Sequence, residues 1–304
     1  MADLKLILLP KSAALKQTGY SVKTESGEKE AFIVFYNKQS PMPRNGLAWR
    51  MGNLHSEYWR EKDGKRIGYY VNQAKARNEI DTPVIALKNN RGWIGASIYP
   101  VTLAGSRLED VPCTWKEVAG ISGDGQGEMW KSDNKDGKII ICPQVSGDVK
   151  KMGGSSGILI KQAVLPLAAY GIAAGKLEWA GAYSRPSAYG KVAKEMSIGA
   201  YLTEVREGKH KQEFALNMHW KYGGKFVRAD KNGCPADKMA GGYNIVVDYT
   251  PEIIGNLIKY LEKIAGVVHI EVSAEKAPEK VYANGEYAFA RKVGGNCIYE
   301  LVAQ

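Results

Sequence analysis

Short runs rich in β-branched and aromatic residues dominate the chain, and residues typical of tight turns separate many of them. These turn signals are Asp63-Gly64, Asn90-Arg91-Gly92, Asp136-Gly137, Gly223-Gly224, Asn284-Gly285 and Gly294-Gly295. Asp-Gly, Asn-Gly and Gly-Gly pairs supply the positive φ angles that two-residue hairpin loops require. The pattern predicts several antiparallel hairpins, and the clearest pair 83–87 with 93–99 and 286–291 with 296–302.

One segment near the end of the chain has the period of an amphipathic helix. Thr250 suits the N-cap, Pro251 suits the first helical position, and Gly266 suits the end. Between them the apolar residues fall on one stripe, formed by Ile253, Ile254, Leu257, Ile258, Leu261 and Ile264. We expect a helix over 251–265 with strands at 243–249 and 267–273, so the C-terminal part reads strand, helix, strand, hairpin.

The remaining elements are less regular. Residues 1–9 read as a first strand, 157–176 as a helix interrupted by Pro166, and 187–203 as a further helix with lysines on its outer face. The apolar stretch 158–174 contains Lys161 and Pro166, which indicates a core helix and no membrane span.

Together these patterns predict a strand-rich α+β fold with multiple antiparallel hairpins and few helices. We divide it into a β-rich region at 1–149, which carries basic and aromatic hairpins, and an α+β region at 150–304. One continuous domain is the alternative. If a boundary exists, the glycine- and serine-rich segments 120–127 and 146–157 suit it.

The 304 residues include 42 lysines and arginines against 32 aspartates and glutamates, so the net charge is +10. The excess is uneven: 44–93 holds 10 basic and 5 acidic residues, and 150–242 holds 15 and 7. Such a balance favours attraction to polyanions, among which nucleic acid is the leading partner. A solvated lysine-rich surface is the alternative.

The cysteines and histidines show no metal-ligand spacing. The cysteines are Cys113, Cys142, Cys234 and Cys297, and the histidines are His55, His210, His219 and His269. No Cys-x-x-Cys or His-x-His pair is present, so we predict free thiols in a reducing compartment, no metal and no cofactor. No catalytic motif is evident either, and the sequence therefore favours a non-enzymatic protein over an enzyme.

A glycine-rich segment at 150–157 precedes the predicted helix at 157–176. Lys150 and Lys151 begin it, and glycines and serines follow. Exposed N–H groups at a helix start can hold a phosphate, which makes this a candidate contact to a nucleic-acid backbone. An ordinary capped helix start is the alternative.

The segment 43–93 interleaves aromatic and basic residues. Pairing the strands around Asp63-Gly64 places Tyr58, Arg60, Lys62, Lys65 and Tyr69 on one face of a hairpin, with Arg66 on the other. Stacking rings and phosphate-tracking cations are what a single strand requires. A second ribbon is predicted around Gly223-Gly224, and the loop 183–191 adds further cations and hydroxyls.

We therefore predict a non-enzymatic protein that binds single-stranded DNA or RNA through basic and aromatic hairpins, or a ribonucleoprotein subunit. The predicted nucleic-acid site consists of Tyr58, Arg60, Lys62, Lys65, Arg66, Tyr69, Lys150, Lys151, Arg185 and Lys191. One alternative is a structural subunit of a viral, phage or mobile-element particle that forms a homo-oligomer or larger assembly, and a third is a nucleic-acid-processing enzyme. The expected location is cytoplasmic, or the particle under that alternative, with no membrane partner.

Overall fold

A computed structural model describes residues 2–24, 27–36, 84–89, 94–118, 132–147, 155–235 and 237–303. The predicted hairpin face from Tyr58 to Tyr69 lies outside the described residues, and so do Lys150 and Lys151. Arg185 and Lys191 lie within them.

The described strands form two sheets. Their bounds are β1 Ala2–Leu9, β2 Gly19–Thr24, β3 Gly27–Tyr36, β4 Val84–Asn89, β5 Ile94–Leu103, β6 Ile139–Gly147, β7 Trp179–Ser184, β8 Lys225–Asp230, β9 Asn244–Asp248, β10 Val268–Ala274, β11 Lys280–Ala283, β12 Gly285–Val293 and β13 Asn296–Ala303. The larger sheet has the order β2-β3-β4-β5-β6-β7-β9-β8, and the smaller has the order β10-β1-β13-β12-β11.

Helices pack on the larger sheet and connect its strands. Their bounds are α1 Trp115–Val118, α2 Ser155–Leu159, α3 Leu165–Ala173, α4 Ile198–Arg206, α5 Phe214–Lys221, α6 Thr250–Gly255 and α7 Leu257–Leu261. A π-helical turn at Ile160–Val164 joins α2 to α3, so 155–173 is one continuous helical segment. Short 3₁₀ turns occur at Leu108–Asp110, Tyr189–Lys191 and Lys238–Ala240.

The two faces of the eight-stranded sheet bury separate apolar clusters because side chains alternate along each strand. On β6, Ile139 and Ile141 enter the smaller of these clusters. Ile140 and Cys142 enter the main core, which the helical segment 155–173 covers. The five-stranded sheet builds a third cluster around Leu6, Leu8, Tyr287, Cys297 and Tyr299.

The predicted fold class is confirmed: the chain is a strand-rich α+β protein with several antiparallel hairpins. The hairpin of β4 with β5 and that of β12 with β13 form as predicted. In the second, Gly294 and Gly295 have φ angles of 53° and 80°, as a two-residue loop of this kind requires. The C-terminal order of strand, helix, strand and hairpin is also observed.

The predicted helix at 251–265 is divided. Helices α6 and α7 meet at Asn256, whose φ of −122° is outside the helical range. The buried stripe nevertheless persists through Ile253, Leu257, Leu261 and Ile264.

Two other local predictions were wrong. Gly223-Gly224 is not a hairpin loop: it ends helix α5, with the Gly224 N–H donating to the carbonyl of His219 at 2.9 Å. A glycine pair that follows aromatic residues fits a helix C-terminus as well as a hairpin turn, so the sequence pattern was ambiguous. The helix predicted at 187–203 begins only at Ile198, where Ser197 caps it by accepting from the Ala200 N–H.

The helical segment Ser156–Ala173 is long and apolar enough to cross a membrane by length and composition, but 72% of it is buried inside the protein. That burial identifies it as a core helix, as the sequence predicts. The eight-stranded sheet continues from β6 to β7 across residue 149, where the predicted two regions meet. The division into 1–149 and 150–304 stays a prediction.

Candidate active site

Strands β6 and β7 are the parallel neighbours of the eight-stranded sheet, and they pair over a short length. The register runs from Ile139 opposite Trp179 to Cys142 opposite Ala182. Beyond that point β6 continues to Gly147 and β7 to Ser184, but no further pairs join them. Backbone groups of the two strands therefore face an opening at their carboxyl ends, where open α/β sheets commonly bind ligands.

An apolar cavity lies at this divergence, between the sheet and the helical segment 155–173. Its lining consists of Ile98, Ile140, Cys142, Val145, Ile160, Val164, Leu165, Ala168, Ala180, Gly181, Ala182, Tyr183, His219 and Tyr249. The space open to the centres of water-sized molecules is about 20 Å³. That is room for roughly one water or one methyl-sized group.

His219 is the most polar side chain in this lining. It lies on the inner face of α5 and is 3% exposed. Burial lowers its pKa from 6.5 to about 4, so the imidazole is neutral at pH 7. Its Nδ1 shares a hydrogen bond of 2.7 Å with the hydroxyl of Tyr249, and its Nε2 has no hydrogen-bond partner among the described residues.

The tyrosines of the cavity are neutral as well. Burial raises the pKa of Tyr249 well above its ordinary value, and burial also raises that of Tyr183. The Tyr183 hydroxyl donates to the carbonyl of Pro112 on the other face of the sheet. No aspartate, glutamate, lysine or arginine is among the described lining residues.

Ser184, the last residue of β7, adds a second polar group. It is 4% exposed, and its Oγ has no hydrogen-bond partner among the described residues. Strand alternation puts it on the same side of β7 as Ala180 and Ala182, which line the cavity. A buried hydroxyl without a partner is unfavourable in the folded state, and this one lies just past the point where the strands part.

Glu213 fixes the loop that follows Ser184. Its carboxylate is fully buried and accepts hydrogen bonds from the Ser187 N–H and Oγ at 3.0 and 2.9 Å, and from the Ala188 N–H. The Tyr201 hydroxyl on α4 donates to it at 2.6 Å. These bonds tie the end of β7 to α4 and to the start of α5, the helix that carries His219.

The helix that begins at Ser155 starts next to the same opening. Gly157 approaches Tyr222 so closely that an added Cβ would lie 2.5 Å from the tyrosine hydroxyl oxygen. This contact holds the first turn of α2 against the C-terminus of α5. Segment 150–154, which the sequence predicts to contact phosphate, directly precedes this turn and lies outside the described residues.

Two of the predicted nucleic-acid-binding residues, Arg185 and Lys191, lie within the described residues, and their surroundings differ. The Arg185 guanidinium is held by the Asp237 carboxylate, with Nε 2.6 Å from Oδ2. Lys191 is exposed at the end of a 3₁₀ turn. The second predicted ribbon does not form, because Trp220 belongs to α5 and Tyr222 caps it.

None of the four cysteines, all of which the structure describes, is in a disulfide. Cys142 and Cys297 are buried, Cys234 is half-buried and Cys113 is exposed. Cys142 is the last β6 residue paired with β7 and lines the cavity.

Comparison with known proteins finds similar solved structures but no matching family model and no matching curated protein. The loading GNATL domain of CurA from Lyngbya majuscula is 14% identical with a TM-score of 0.50, over 72% of this chain and 96% of that one. GphF, a GNAT-like decarboxylase in complex with isobutyryl-CoA, is 16% identical with a TM-score of 0.49, over 71% and 97%. Malonyl-CoA decarboxylase from Agrobacterium vitis is 12% identical with a TM-score of 0.47, over 78% and 63%.

The fold is therefore GNAT-like. The structural similarity to the CurA loading domain shows this fold.

This finding contradicts the nucleic-acid interpretation. The predictions of a non-enzymatic nucleic-acid-binding protein, of nucleic acid as its partner and of a viral or mobile-element protein are wrong. They depended on composition, and a basic, aromatic surface is compatible with many functions.

Sequence reasoning missed Ser184 and His219. Neither residue stands in a recognisable motif, since one lies on strand β7 and the other on helix α5, at positions distant in sequence. The nearest usable signal was the glycine- and lysine-rich segment before α2, where phosphate binding was predicted.

Proposed function

We propose that this chain is an enzyme that binds an acyl-CoA thioester at the divergence of β6 and β7. The observation that carries the proposal is the cavity at that divergence, which His219 lines, together with the buried, unpartnered Oγ of Ser184 at the end of β7. The GNAT-like fold supports it.

The chemistry of the site fits the parts of such a ligand. The unpaired strand edges beyond Cys142 and Ala182 offer backbone groups to the amides of an extended arm, as in strand addition. The start of α2, with Lys150 and Lys151 just before it in sequence, suits phosphate groups. The small apolar cavity suits a short acyl group, because it has room for roughly one methyl.

A bound thioester would supply an activated carbonyl carbon and a thiolate leaving group. The chain contributes an apolar surround that excludes water, the His219 imidazole, and the Ser184 hydroxyl as a donor. Polar groups fixed in such a surround act more strongly on a carbonyl oxygen than they would in water.

Binding and turnover test the proposal together. Calorimetry should detect binding of acetyl-CoA and of CoA to the protein. Mass spectrometry should show a product after the protein is incubated with acetyl-CoA or malonyl-CoA. Release of CoA indicates transfer or hydrolysis, and conversion of malonyl-CoA to acetyl-CoA indicates decarboxylation. His219→Gln and Ser184→Ala should abolish most turnover while retaining binding.

Ser273→Ala is the matched control, because Ser273 lies on β10 of the smaller sheet, where it donates to Asp3. It should leave both readouts unchanged. Folded protein that binds neither acetyl-CoA nor CoA at millimolar concentration would show that the proposal is wrong.

A further inference from the structure

We infer that Tyr249 donates its hydroxyl proton to Nδ1 of His219 and thereby fixes His219 as a neutral hydrogen-bond donor, with its N–H on Nε2. His219 then serves a substrate carbonyl oxygen and is not a general base. The inference rests on the proposed function for the identity of the acceptor, but the tautomer itself is a property of the protein alone.

The geometry limits the choices at this pair. Tyr249 Oη and His219 Nδ1 are 2.7 Å apart, and both side chains are buried. The structure shows no other hydrogen-bond partner for either side chain among the described residues. One proton lies between them, and it belongs either to the phenol or to Nδ1.

The chemistry of the two groups decides where that proton lies. A phenol O–H is a better donor than a neutral imidazole N–H, and an imidazole nitrogen is a better acceptor than a phenol oxygen. When Tyr249 donates to Nδ1, the hydrogen bond joins the better donor, the phenol, to the better acceptor, the imidazole nitrogen. It also places the remaining donor, Nε2–H, at the cavity, where a ligand oxygen can accept it.

The surroundings keep the imidazole neutral. The ionisable groups that line the cavity with His219 are Cys142 on β6, Tyr183 on β7 and Tyr249 after β9. The carboxylate that acts on Tyr249 electrostatically is Glu252 on α6. With no charged side chain in the described lining, burial dominates and lowers the pKa of His219 to about 4.

Two consequences follow for the reaction. Nε2–H can stabilise negative charge that develops on the thioester carbonyl oxygen. Tyr249 is a positioning residue, because it acts through His219 and sets which nitrogen carries the proton.

Nitrogen-15 NMR of histidine-labelled protein tests the tautomer directly, with His219→Gln used to assign the signal among four histidines. We expect a protonated Nε2 and an unprotonated, hydrogen-bonded Nδ1, unchanged from pH 8 to about pH 5. A protonated Nδ1 would overturn the inference whether or not acyl-CoA binds. Absence of acyl-CoA binding with the expected tautomer would instead remove only the proposed function.

Tyr249→Phe provides the second measurement. The Nδ1 signal should move to the position of a nitrogen without a hydrogen bond, and kcat should fall about tenfold or more with little change in KM. Tyr299→Phe removes a comparably buried hydroxyl, which donates to the Pro278 carbonyl at 2.7 Å in the smaller sheet, and should change neither. An Nδ1 signal unaffected by Tyr249→Phe would contradict the inference.

The pH profile separates the two roles of His219. If His219 acts as a neutral donor, its protonation should lower kcat only as the pH approaches 4, the pKa of its imidazole. A kcat controlled by a group that titrates near pH 7 and disappears from the profile of His219→Gln would identify a general base and overturn the inference.

Discussion

Ser184 and Glu213 are both buried polar residues near the end of β7, but their side chains differ in hydrogen bonding. Glu213 accepts four hydrogen bonds, from Ser187, Ala188 and Tyr201, and thereby holds a loop in place. Ser184 has an Oγ with no partner among the described residues. A satisfied carboxylate contributes to stability, whereas an unsatisfied hydroxyl reduces it, and the two therefore respond differently to substitution.

Ser184→Ala should leave the free energy of unfolding unchanged or raise it by about 1 kcal/mol, because the methyl group needs no hydrogen bond. The same variant should lose about a hundredfold in kcat, as expected for removing one donor to a developing oxyanion. Urea denaturation and steady-state kinetics check the two effects. A loss of stability above about 1 kcal/mol would mean that the hydroxyl has a structural partner.

Glu213→Gln should destabilise the protein by about 2–3 kcal/mol, since an amide cannot accept from all four donors and turns its own N–H groups toward some of them. Thermal or urea unfolding measures the change. Glu207→Gln is the matched control, because Glu207 is exposed and its ion pair with Lys209 is a surface contact. Equal stability of the two variants would contradict the role given to Glu213.

Local patterns predicted most of the strands and the last helix, because alternation, turn glycines and an apolar stripe are readable over a few residues. Glycine pairs led to one correct and one wrong prediction of a hairpin loop. Gly294-Gly295 form the predicted hairpin loop, but Gly223-Gly224 end a helix. The divergence of β6 and β7 was not predictable in this way, because the two strands pair in parallel across the intervening helical segment 155–173.

At Gly181 the backbone of β7 lies so close to Trp179 and to Val247 on β9 that no side chain fits there. A Cβ there would lie 2.4 Å from the Val247 carbonyl oxygen and 2.0 Å from the Trp179 ring. Gly181→Ala should therefore destabilise the protein by about 1–3 kcal/mol, through overpacking against a backbone atom. Denaturant unfolding checks this.

Gly199→Ala is the matched control for Gly181→Ala. Gly199 lies exposed on α4 with nothing within 4 Å of its added Cβ, so alanine should stabilise the helix by up to about 1 kcal/mol. A Gly181→Ala protein as stable as the parent would show that β7 can move away from β9.

The whole molecule gains a pH dependence from the burial of His219. The folded pKa of about 4 lies below the ordinary 6.5, so between these values the unfolded chain binds the proton and the folded chain does not. Stability from this group is therefore complete above about pH 6.5 and declines as the pH falls toward 4. The loss amounts to about 3 kcal/mol at most.

Other groups titrate in the same range with opposite sign, and a variant isolates the effect. Burial raises the pKa of Asp248 from 3.8, which favours the folded state at low pH and weakens it as the pH rises. His219→Gln should flatten the fall in stability between pH 6.5 and 4, whereas His269→Gln on β10 should retain it. A slope in His219→Gln equal to that of the parent would show that His219 is protonated in the folded protein.

The four-residue pairing of β6 with β7 also has a consequence for how the molecule assembles. On one side of this seam β2 to β6 are consecutive antiparallel neighbours. On the other side β7 pairs with β9 and β9 with β8, also antiparallel but out of chain order. Parallel neighbours cannot be joined by a tight turn, so the β6–β7 pairs form only when the helical segment 155–173 has crossed over the seam. The cleft should thus be completed only after this crossover has formed, and a ligand that needs both strands would select finished molecules over partly folded ones.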